Sequence, residues 1–66
     1  MNDDRVLWRV PVGGAMLECV IVSCCAGAEL QVRRNDEIVL RELYPMKSHL
    51  YERARALEAE YRNDGK

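Results

Sequence analysis

The sequence predicts an α+β fold: a four-stranded antiparallel β-meander with one C-terminal α-helix packed on one face, in the order ββββα. Three observations predict it. At about 100° per residue, Met46, Leu50, Ala54, Leu57 and Tyr61 fall in one arc of a helical wheel, with Ser48, Glu52, Arg55 and Ala59 opposite. Four stretches rich in β-branched and other apolar residues precede that amphipathic segment. Turn-forming pairs separate them: Gly13-Gly14, Ala26-Gly27 and Asn35-Asp36. With 66 residues the chain makes one domain, and 48% hydrophobic residues suffice for a core. A domain this small buries only about 60% of its unfolded surface, so oligomerisation is one route to adequate stability.

The first strand is expected over about 5–10, where Val6, Trp8 and Val10 share a side and Pro11 ends the run. Gly13-Gly14 opens a strand rather than a helix, so turn geometry explains the pair better than phosphate binding does. The second strand, about 15–25, is the most apolar. A turn at Ala26-Gly27 leads into the third, about 28–34, placing Ile21 opposite Val32 and Ser23 opposite Leu30. Leu17, Cys19, Ile21, Leu30 and Val32 then form the core face.

A two-residue turn at Asn35-Asp36 sets the fourth strand, about 37–44, with Val39 opposite Val32 and Leu43 opposite Ala28. That register leaves Arg41 on the core face beside Leu30, and a bulge or a three-residue loop would shift the register by one and swap the faces. Pro45 breaks the strand, and the helix follows over about 46–62.

One helix covers one face of the sheet, so the other is expected to carry an apolar patch of Val20, Val22, Ile38 and Leu40. A homodimer through that face is the expected remedy. Net charge −1 offers no general attraction to nucleic acid or an anionic membrane. Three cysteines, Cys19, Cys24 and Cys25, and the single His49 lack zinc-ligand spacing, so no metal or cofactor is expected. Nothing pairs a nucleophile with a base, and no catalytic residue is assigned. The acidic start Met1-Asn2-Asp3-Asp4 is unlike a secretory segment, which points to the cytoplasm.

The run ELQVRRNDEIVLRELYP, followed by KSHLYERARALEAEYR, resembles short uncharacterised bacterial proteins. In these, a Val- and Arg-rich strand-turn-strand passes through an aromatic-Pro step into a helix ending in Arg. The resemblance implies a bacterial source and the meander-plus-helix fold, and it carries no functional residues.

The expected function is therefore a non-enzymatic, homodimeric interaction or regulatory module, with an additional protein partner compatible with it. The alternative is a single-stranded nucleic-acid binder contacting phosphate through Arg33, Arg34 and Arg41, with Trp8 and Tyr44 as stacking faces. Glu29, Asp36, Glu37 and Glu42 lie among those arginines and offset their field. Because Leu57 sits in the middle of the apolar stripe, Leu57→Ala should lower the unfolding free energy by about 2–5 kcal/mol in urea titrations, and an unchanged midpoint would place that stripe outside the core.

Overall fold

A computed structural model describes residues 4–24 and 27–64. Strands β1 (Arg5–Val12), β2 (Ala15–Cys24), β3 (Gly27–Arg34) and β4 (Glu37–Tyr44) form one antiparallel sheet in sequential order, and helix α1 (Lys47–Asp64) packs on one side of it. Sequence reading and structure agree on the architecture. They differ in how three strands are aligned.

The outer hairpins are built alike. Gly13 and Gly14 have φ of 54° and 81°, Asn35 and Asp36 have 51° and 72°, and two successive positive φ values match the right-handed twist of the flanking strands. Asn35 also extends the ladder: its backbone N–H donates to the Met16 carbonyl and its Oδ1 accepts from the Met16 N–H, each at 3.2 Å. The turn expected at Ala26-Gly27 falls partly on residue 26, which like Cys25 lies outside the described residues. Cys24 pairs with Gly27, so Ile21 faces Leu30 and Cys19 faces Val32. This is a shift of two residues from the expected pairing. An even shift preserves the faces, and the core-face residues stand as expected.

Two bulges do change faces. In β1 the register slips between Val6 and Trp8. Val6 pairs with Val20 on the side away from the helix, and Leu7 packs against the core in its place. In β4 the slip falls between Val32 and Arg33, which makes Val39 the extra residue. Val32 therefore pairs with Leu40, Leu30 with Glu42, and Ala28 with Tyr44. Leu40 thus lies against the core on the helix side, not on the open face, and Arg41 moves out of the core to the open face. Burying an unpaired guanidinium against Leu30 would cost far more than one bulge does. β1 also runs past Pro11 to Val12, because an edge strand has one side on which no ladder donor is needed.

Leu30, Leu50, Val32 and Cys19 are the largest fully buried side chains. Leu50, Ala54 and Leu57 are the buried residues of α1, with Tyr61 half-buried beside them. Met46 precedes the helix and stays exposed, so the stripe begins at Leu50. Trp8 anchors the helix. Its Nε1 donates to the Ala54 carbonyl at 2.9 Å, and its ring lies 6.0 Å from that of Tyr61, tilted by 50°.

Gly27 has φ 134°, and a Cβ there would press into the Tyr44 carbonyl oxygen and the Cα of Pro45. Gly14 is also at positive φ but has open space around it. Gly27→Ala should accordingly cost of order 2–3 kcal/mol, from strain plus overpacking, against about 1–2 kcal/mol for Gly14→Ala. Equal shifts of the two urea midpoints would show that the β2–β3 end yields freely.

Candidate interaction surfaces

The face away from α1 is read from the register: Val6, Arg9 and Pro11 of β1 lie beside Val20, Glu18 and Met16 of β2, with Glu29, Gln31 and Arg33 of β3 and Ile38, Arg41 and Leu43 of β4 beyond. Among the described residues no element covers this face, yet Val20 is only 2% exposed and Gln31 7%. Neighbouring side chains must therefore close over Val20. Val20 lies between Val6 and Gln31, and the polar side chains of β3 and β4 on this face form a hydrogen-bonded series. Arg33 donates twice to Gln31 Oε1, at 3.1 and 2.8 Å, and Gln31 Nε2 donates to Glu29 Oε1 at 2.8 Å. Arg41 Nε donates to the same Glu29 oxygen at 2.9 Å. Arg33 also lies 3.6 Å from Asp4, and Arg9 bonds Glu18 at 2.6 Å. Bonds from Arg41 and Gln31 hold the Glu29 carboxyl below its ordinary pKa.

Of the residues expected to form a self-association patch, Val20 is buried, Val22 is half-buried, Leu40 is on the other side and Ile38 is exposed at the margin. The four do not make one surface. Arg33, Arg34 and Arg41 do not gather either. Arg33 and Arg41 are engaged on the open face, whereas Arg34 pairs with Leu17 on the helix side.

Among the described residues the exposed large apolar side chains are Val6 and Met16 on the β1–β2 side of the open face, Tyr51 on α1, and a larger group at β4. Ile38, Val39, Leu43 and Met46 are 42%, 53%, 58% and 57% exposed, and all lie on or just after β4. β4 is an edge of the sheet, so its outer backbone groups have no strand to pair with. The other edge, β1, carries Pro11, a bulge and the exposed Arg5 and Arg9, the usual devices against strand addition. β4 has a regular stretch over 40–44, bounded by the bulge at Val39 and by Pro45. Attention to which faces are apolar misses this asymmetry. Its sequence signal is Pro11 inside the first strand and no proline within 37–44.

At the middle of that stretch Glu42 points to the helix side. It accepts a bond from the Tyr44 hydroxyl and two from Arg53 of α1, with Arg53 Nε at 3.2 Å. The Tyr44 bond and then Arg53 lower the Glu42 pKa, while the same carboxylate raises that of Tyr44. This trio ties α1 to β4.

Elsewhere the chemistry is sparse. Burial, then the nearby Glu58 charge, push the Cys19 thiol up to about 11, so it stays protonated and inert near neutrality. Cys24 and His49 are exposed. Among the described residues no three His, Cys, Asp or Glu side chains are grouped to hold a metal ion, and no helix is long and apolar enough to cross a membrane. Two open clefts of about 400 and 360 Å³ flank α1, one polar beside Arg5 and Lys47, the other apolar beside Leu17 and Tyr61. No protein-family model, curated protein or solved structure matches this chain.

Because the Glu42 carboxyl is acidified by folding, its contribution is fully present above its unfolded pKa near 4.5 and is lost as pH falls through the lower folded value. Glu42→Gln should therefore lower the urea midpoint at neutral pH, and the gap from wild type should narrow as pH falls below 4.5. A gap that is constant with pH would show that the carboxylate's charge is not what matters.

Proposed function

We propose that this chain is a cytoplasmic, non-enzymatic interaction or regulatory module that works as a homodimer, with β4 as its contact surface. The observation that carries this reading is the concentration of exposed apolar side chains, Ile38, Val39, Leu43 and Met46, on or just after an edge strand that is regular over 40–44. Such an edge is both an exposed apolar surface and a template for backbone pairing. The open face is a weaker candidate, since Val20 is already buried there and the polar groups beside it are paired. Phosphate binding has less support for the same reason: Arg33 and Arg41 would have to leave their present partners.

Sedimentation equilibrium under reducing conditions, over a wide concentration range, tests the proposal. The wild type is expected to show a concentration-dependent dimer. Leu43→Lys, at an exposed site, should weaken dimerisation by roughly tenfold or more while leaving the far-ultraviolet circular dichroism unchanged. A wild type that remains monomeric throughout would end this reading.

A further inference from the structure

Resting on the dimer reading, we propose that two copies join edge to edge through β4, about a two-fold axis that passes through Glu42, to make one continuous eight-stranded sheet. Three constraints select that register. The first is the pleat. In an antiparallel pair, residues directly opposite must lie on the same face, so the axis of a symmetric pair passes through a residue and not between two. The second is the length of regular strand. The bulge at Val39 ends it on one side, and Pro45, which has no N–H to give, ends it on the other. The residues between them are 40–44, and Glu42 is their centre. An axis through Arg41 would drive the bulge against Leu43 of the second copy, and an axis through Leu43 would leave three paired residues.

The third is side-chain complementarity. Centred on Glu42, the pairing sets Leu40 opposite Tyr44 of the second copy on the helix side. These two half-buried side chains adjoin the core, so the core runs on across the interface. On the open side Arg41 meets Leu43, and the exposed Leu43 is covered by the aliphatic stem of Arg41. The two Glu42 carboxylates meet at the axis, an arrangement that is unfavourable for bare like charges. They are not bare. Each already holds Arg53, so two glutamates and two arginines sum to zero, and each Glu42 accepts a Tyr44 hydroxyl as well. Centring on Arg41 would instead oppose two arginines with Leu40 set against Glu42.

Cysteine cross-linking reads the register. The parent chain carries Cys24→Ser and Cys25→Ser and keeps the buried Cys19. Glu42→Cys should give a disulfide-linked dimer on mild oxidation. Arg41→Cys and Leu43→Cys, which leave the Glu42–Arg53 pair in place, should each fail to link alone but should link to one another when mixed. A strand spacing of about 4.8 Å and a two-residue offset of about 6.7 Å separate the self-pairs by about 8 Å, beyond the reach of a disulfide. Self-linking of Arg41→Cys or of Leu43→Cys, or no linking at Glu42→Cys, would overturn the register. Sedimentation of the uncross-linked wild type separates the two failures: a monomer removes the dimer reading itself, whereas a dimer with any other cross-linking pattern removes only the Glu42-centred edge. A wild-type dimer lost on Cys24→Ser and Cys25→Ser would place the contact at the far end of β2 and would likewise overturn it.

Discussion

The indole of Trp8 holds the two layers of this protein together. It packs between β1 and α1, and its N–H is satisfied by the Ala54 carbonyl, which has a second lone pair beyond the one used in the helix. An edge strand without such an anchor would be held to the helix by apolar contact alone. Tyr61 packs against the ring in a tilted pair, so one tryptophan reaches the helix both at its middle and near its end. On the opposite edge the attachment is ionic, through Arg53 and the Glu42–Tyr44 pair. The helix is thus pinned at both edges by different chemistry, and apolar packing of Leu50 and Leu57 fills the interval.

Both bulges follow from these attachments. The slip between Val6 and Trp8 keeps Trp8 on the helix side while sending Val6 outward, and the slip at Val39 turns Glu42 toward Arg53 and Arg41 toward Glu29. Without the second bulge the two charged residues of β4 would exchange places. Arg41 would be set into the core beside Leu30 and Glu42 would lose the helix. One extra residue therefore satisfies two charges at once.

The same device shapes the exposed surface. A four-stranded sheet with one helix leaves a face uncovered, and on this face Val20 is nonetheless buried beside a bonded series of polar side chains. Most of the remaining exposed apolar surface lies at the β4 margin, with Val6 and Met16 exposed at the β1–β2 side. The two edges are treated differently: β1 is made unsuitable for pairing, and β4 is left regular between a bulge and a proline. The proposed self-association follows from that difference.

Periodicity and turn chemistry are local properties, and they determined the elements, their order and most of the core: Leu17, Cys19, Ile21, Leu30 and Val32 on one face, with Leu50, Ala54 and Leu57 above them. The proposed contact surface was half legible: Ile38 stands out as an exposed apolar residue, but Leu40 was assigned to the wrong side. Only the tertiary structure decided the faces of Val6, Leu40 and Arg41, and only it showed that Val20 is already covered. The physical reason is that local periodicity can hint at a bulge, as the misplaced Arg41 did, but does not fix whether or where one forms. A bulge forms where cross-strand bonds and the demands of distant partners, Ala54 for Trp8 and Arg53 for Glu42, outweigh the regular pleat.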